Sequence, residues 1–317
     1  MDKTSSSERE ALASFGIPLA MMRRRQFLVG AGAVLGGVAL PTVLSGCTTG
    51  PGTAPSGAGP QSSGASGPRT LTIAYPDVPE VLDNRQADNY LAEEIARNIG
   101  CGDILRYKNV PVEGAEGLWT HDLKSPGFDG LDNAMAESWE YSDDLKTYTF
   151  KLRSDIVSAY GNPLTADDVI FSWQGRYWDE GFDGGKSTGR AGGIFSPDQF
   201  IKVDDRTIRV ELKDSNNLFP KIDAIAGTGG LWDSKELSKH ATPDDPYAFQ
   251  WTKDTGGGGY GAYTVESMTK GVEIVFKANP NYFRGEPYFQ RVIWRGVAKS
   301  SERLAMLTRG DVDVALN

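Results

Sequence analysis

The residues that build most metal and redox centres are nearly missing from this chain. Its 317 residues include two cysteines, Cys47 and Cys101, and two histidines, His121 and His240. Two cysteines so placed define no disulfide framework and no cysteine-based zinc site, and a histidine-rich metal centre is excluded on count. Cys101 reads as a small apolar filler, with no cationic neighbour in sequence to activate it. No Ser/His/Asp arrangement has the context of a nucleophile elbow, and no metal-binding motif is present. Internal repeats are also missing, which argues against a repeat-built adhesion module. Positive charge is short: 33 Lys and Arg face 42 Asp and Glu, a formal net charge of -9. The excess lies after Cys47, and an acidic surface argues against nucleic acid as a partner.

What is present fits a soluble globular protein, with 39% hydrophobic and 24% charged residues and length enough for two domains. Carboxylates are plentiful. Composition therefore leaves open an exported, lipid-anchored hydrolase with a glycosidase-like carboxylate pair.

Residues 1–47 read as targeting sequence rather than fold. Arg23-Arg24-Arg25-Gln26-Phe27-Leu28 is similar to the twin-arginine export motif, with Arg24 and Arg25 as the pair. A mildly apolar run follows and ends in Leu44-Ser45-Gly46-Cys47, which matches a lipobox. That match implies diacylation of Cys47, which would become the mature N-terminus. Met21 and Met22 stand just before the arginines as alternative starts to Met1. Residues 48–68 are Gly, Ser, Pro, Thr and Ala with no large apolar side chain, so they form a tether rather than a core. As a flexible coil the tether reaches roughly 25 Å on average.

Beyond it, residues 70–75 (TLTIAY) read as a strand and 89–99 as a helix with Leu91, Ile95 and Ile99 at four-residue spacing. Residues 104–107 read as a strand, and 108–133 as an irregular surface insertion. Residues 138–141 and 146–153 pair across a Ser142-Asp143-Asp144 turn, with Tyr148, Phe150 and Leu152 on the core face. A helix opens at Thr165, capped reciprocally by Asp168 and stapled by Leu164 and Val169, with Ile170, Trp173 and Tyr177 as its buried stripe. Residues 200–203 and 207–212 form a second hairpin with Ile208, Val210 and Leu212 inward. A short helix lies near 234–238. Residues 256–259 are four consecutive glycines. A phosphate loop needs a preceding strand, a following helix and a lysine, but a strand follows here, so the run reads as a mobile loop. Residues 263–265 and 272–277 form a third hairpin. A helix from Ser300 turns Leu304 and Leu307 inward, Gly310 caps it, and residues 312–316 begin a strand.

The wording AESWE…SDDLKTYTFKLR…PLTADDVIFSW resembles the central signature of the bacterial family 5 extracellular solute-binding proteins, the peptide-binding components of ABC importers. NPNYFRGEP and the helix followed by GDVDV resemble two further blocks of that family. The resemblance implies an α/β, periplasmic-binding-protein-like fold of two lobes, class II in type. A hairpin-rich subdomain is inserted, and the chain stops before the second ligand-closing lobe. On that pattern residues 69–107 and 227–317 form the inner lobe and 108–226 the inserted subdomain. The chain then reads as truncated, and residues 70–317 alone are expected to bind ligand weakly or not at all. The implied partners are a peptide or similar small solute, ABC permease subunits, and the membrane through lipidated Cys47. A monomer on the extracytoplasmic side is implied, without enzymatic activity, cofactor or metal. The family's ligand-contacting loops map to Arg85, Gln86, Ala87, Asp88 and Asn89 after the first strand, and to Leu316 and Asn317 at the end of the chain. Three departures stand out. Asn84 replaces a usual Pro, Tyr160 stands where an Asp usually precedes Gly161, and the glycine run is longer than the family's short Thr-Gly-Pro block.

Overall fold

The computed structural model describes residues 69–83, 102–115, 117–179, 189–222 and 230–316. All of them lie in the compact unit that contains Arg69–Asn317. The expected helix at 89–99, Cys101, and the segments 1–47 and 48–68 fall outside these residues.

Two sheets organise the fold. The first is antiparallel and four-stranded, in the order β6-β7-β9-β8: β6 Ala136–Tyr141, β7 Thr147–Leu152, β8 Phe200–Asp204 and β9 Thr207–Glu211. Alternation puts Tyr148, Phe150, Leu152, Ile208 and Val210 on one face, all fully buried as expected. The β6–β7 turn works through Ser142, whose Oγ accepts from Thr147 N–H at 3.0 Å, while Leu145 takes a left-handed φ of 54°. Across that face lies α1, Ala166–Ile170. Its N-terminus is closed as the sequence implied: Thr165 N–H donates to the Asp168 carboxylate at 2.8 Å. Leu164 and Val169 both enter the core.

The helix does not continue as an α-helix. Phe171–Asp179 winds as π-helical turns. Ser172 sits at the change, where its Oγ donates to the Asp168 carbonyl at 2.6 Å and accepts from Trp232 N–H at 2.9 Å. A side chain that takes the i−4 carbonyl competes with the backbone ladder. The wider turn brings Arg176 inward beside Trp173 and Tyr177 and leaves Ile170 half-buried. Period-3.6 reasoning could not anticipate the arginine.

The second sheet is five-stranded, in the order β10-β11-β12-β1-β13: β1 Thr70–Tyr75, β10 Tyr263–Thr269, β11 Glu273–Ala278, β12 Arg291–Gly296 and β13 Val314–Ala315. β1 runs parallel to both neighbours, while β10, β11 and β12 form an antiparallel meander. One face carries Leu71, Ile73, Phe276, Val292 and Trp294 into a core closed by Val78 and Leu82. On the other, Ala74 and Val297 pack with Val312 and with Met306 and Leu307 of α5, Ser300–Arg309.

Several expectations need correction. Residues 108–133 are irregular only in part. β3 Asn109–Pro111 pairs with β4 Trp119–His121, and β5 Leu131–Asn133 pairs with β2 Leu105–Tyr107. These strands are three residues long, too short for periodicity to register. Leu304 of α5 faces out at 54% exposure, and Arg303 is the buried residue instead. Its guanidinium donates to Val297 O and Ala298 O at 2.7 and 2.9 Å, satisfying carbonyls that Leu304 could not. The glycine run is buried. After α2, Phe219–Ile222, and α3, Ser234–Leu237, it caps α4, Phe249–Thr255, a helix the sequence reading missed, with Gly256 and Gly257 at φ 68° and 61°. A Cβ on Gly257 would lie 2.3 Å from the Trp232 ring, and one on Gly258 1.7 Å from Tyr160. The glycines therefore admit aromatic rings rather than mobility. Ile104 and Leu105, together with Leu231 and Tyr260, share the core of the four-stranded sheet.

Candidate functional site

In open α/β sheets, ligands bind outside the carboxyl ends of parallel strands. Here the parallel set is β12-β1-β13, and its carboxyl ends come into line. Tyr75 ends β1 opposite Gly296, which ends β12. Ala74 stands opposite Ala315, so Leu316 follows beside Tyr75. Backbone bonds hold the row: Val297 N–H donates to Tyr75 O at 2.7 Å, and Leu316 N–H to Ala74 O at 2.9 Å. Arg303 pins the turn that leaves β12, and Asp313 N–H bonds Thr72 O at 2.9 Å while its carboxylate accepts from Thr72 N–H at 2.9 Å.

The segment that leaves β1 runs back over the first core face. Leu82 N–H donates to Lys253 O at 2.9 Å at the end of α4. Asp83 is fully buried and accepts from Arg176 and from the Thr252 hydroxyl. Arg176 donates as well to Tyr247 O and lies 4.1 Å from the Trp232 ring centroid. Leu82 and Asp83 are therefore tied to the π-helical segment and to α4 together.

Of the expected contact residues, Leu316 is described, half-buried against the sheet core at the carboxyl edge. Arg85, Gln86, Ala87, Asp88, Asn89 and Asn317 lie outside the described residues, as do Cys47, Arg24 and Arg25. The sequence reading missed Tyr75 and Arg303. Register was the signal for Tyr75: the last residue of a parallel strand beside a glycine that ends its neighbour.

The buried carboxylates are engaged in holding loops. Asp168 accepts from Thr165 N–H, Ser234 N–H and Ser234 Oγ, and Asp233 accepts from Ser158 Oγ, Asn162 and Glu236 N–H. Burial, with Asp168 and Asp233 nearby, pushes the Tyr260 hydroxyl far above its ordinary range. Among the described residues no group of three or more His, Cys, Asp and Glu side chains could hold a metal ion. No helix among them is long and apolar enough to cross a membrane.

The family model for bacterial extracellular solute-binding proteins, family 5 Middle, matches residues 130–317. The chain belongs to family 5 of the bacterial extracellular solute-binding proteins. Members of family 5 are extracytoplasmic binding proteins rather than enzymes. The chain is similar to the probable D,D-dipeptide-binding periplasmic protein DdpA of Escherichia coli, 29% identical over 189 residues, which cover 60% of this chain and 34% of that one. It is also similar to the periplasmic oligopeptide-binding protein OppA of Escherichia coli, at 25% identity over 66% of this chain and 38% of the relative. Among solved structures, HbpA2 from Haemophilus parasuis superposes with a TM-score of 0.62 at 20% identity, over 78% of this chain and 46% of that one. The fold is thus that of the periplasmic binding proteins, class II in type. The chain spans between a third and a half of the length of these family 5 relatives.

Proposed function

We propose that the full protein is the extracytoplasmic, lipid-anchored solute-binding component of an ABC importer. It captures a peptide or a solute of similar size, as a monomer, and delivers it to permease subunits in the membrane. The observation that carries this reading is the aligned carboxyl edge of β12, β1 and β13, at which Leu316 sits. Arg85, Gln86, Ala87, Asp88 and Asn89 follow on from the anchored Asp83, and Asn317 follows Leu316. Extended ligands need backbone-like donors and acceptors, which Gln86, Asn89 and Asn317 supply, while Arg85 and Asp88 suit terminal charges. The five-stranded sheet acts as one lobe, and the four-stranded sheet, with Ile104, Leu105, Leu231 and Tyr260 in its core, as the inserted subdomain. Arg24 and Arg25 direct export, and Cys47 carries the acyl chains, two of which anchor stably where one does not.

The test is native mass spectrometry of the full protein purified under mild conditions, then mixed with a di- to pentapeptide library. A one-to-one complex with intact peptide is expected. Hydrolysis of library members at enzymatic rates, or no complex with any of them, would overturn the proposal.

A further inference from the structure

We infer that Tyr75 and Leu316 form an apolar subsite at the carboxyl edge of the sheet, so that the solute carries an aromatic or large aliphatic group there. This inference rests on the solute-binding reading above and names the chemistry of the same site. Residues in register in a parallel sheet point to the same face. Tyr75 and Leu316 are neighbours in that sense, at the last row before the chain leaves the sheet. Both are half-buried, so each turns one side to the sheet core and the other outward. The Tyr75 ring is braced from beneath by Trp294, with ring centroids 5.9 Å apart and planes 18° from parallel. Trp294 is itself 2% exposed, which makes it a fixed support.

The third member of the row is Gly296, which lets neighbouring atoms pack close against the strand end. A Cβ there would meet Gly271 O at 3.0 Å, the Val78 side chain at 3.3 Å and Val272 O at 3.4 Å, so the β12 side of Tyr75 is closed by backbone and by the apolar Val78. The row thus offers a supported ring and an aliphatic side chain, with no charged side chain among its three members. Polyols and multiply charged solutes gain little from such a row. A peptide side chain that carries a ring gains stacking area and burial.

The experiment titrates the full protein with trialanine and with Ala-Phe-Ala by calorimetry, for the wild type and for Tyr75→Ala. The wild type is expected to prefer Ala-Phe-Ala. Tyr75→Ala is expected to weaken Ala-Phe-Ala at least tenfold while it changes trialanine less than threefold. Tyr75→Phe should restore the preference, which separates a ring surface from a hydroxyl contact. Equal loss for both peptides, or an unchanged Ala-Phe-Ala affinity, would overturn the subsite. Failure of the wild type to bind either peptide, with charged or polyol solutes bound instead, would overturn the inferred class. Failure to bind any solute at all would strike the solute-binding reading itself.

Discussion

Arg176→Met tests the internal brace behind the loop that leaves β1. The Arg176 and Asp83 side chains are 1% and 0% exposed. Methionine keeps most of the length and packing against Trp232 but removes every donor. Asp83 would then keep the Thr252 hydroxyl yet lose its buried counter-charge. Removing one partner of a buried ion pair costs about 3–5 kcal/mol, because the other charge stays uncompensated. At about 2–4 °C per kcal/mol for a domain of this size, the unfolding midpoint should fall by about 6–20 °C. Asp83→Asn added to Arg176→Met removes the stranded charge while keeping an acceptor for Thr252. The double variant should therefore be more stable than the two single losses predict, with a coupling of about 2 kcal/mol. Urea and thermal unfolding of the full chain, followed by circular dichroism, measure all four corners of the cycle. A single-variant loss below about 1 kcal/mol, or additivity within about 0.5 kcal/mol, would refute the argument.

Other perturbations read other parts of the account. Gly257→Ala places a Cβ 2.3 Å from the Trp232 ring at a φ of 61°. It should destabilise by about 2–4 kcal/mol, from overpacking and left-handed strain together, as urea unfolding would report. Tyr148 and Tyr160 are each pushed up to about 12, chiefly by burial. The unfolded chain gives up those protons from about pH 10 while the folded chain keeps them, so stability should fall as pH rises from about 10 to 12. Tyr148→Phe should flatten that slope, and tyrosinate absorbance should rise together with unfolding. For export, Arg24→Lys with Arg25→Lys should block secretion of a reporter, and Cys47→Ala should release the protein from membrane fractions. Normal secretion of the first or retention of the second would contradict the proposed signal.

The elements that sequence located were those with strong local rules. The alternation of Tyr148, Phe150 and Leu152 fixed a strand and its face, and Thr165 with Asp168 marked a helix start. Gly310 marked a helix end, and it takes φ 85° there. What escaped was set by tertiary contact. Arg303 is buried because two strand-end carbonyls need a donor, and no periodicity expresses that need. The glycine run looked like an open loop because the rings that fill its missing side chains, Trp232 and Tyr160, are distant in sequence. The same holds for the candidate site. Leu316 could be named from a resemblance, but Tyr75 acquires its position only when β1 lies between β12 and β13. The π-helical turns follow from Ser172 bonding Asp168 and Trp232 together, a contact that joins residues 60 apart.

The claim that binding occurs at the carboxyl edge of the parallel strands is tested most directly by hydrogen exchange of the full protein with and without a captured solute. Ligand-dependent protection should appear at residues 76–83, 296–300 and 314–317. The turns at 142–146 and 204–206, on the four-stranded sheet, should exchange at the same rate in both states. Protection confined to those turns, with the strand ends unchanged by a bound solute, would contradict the account.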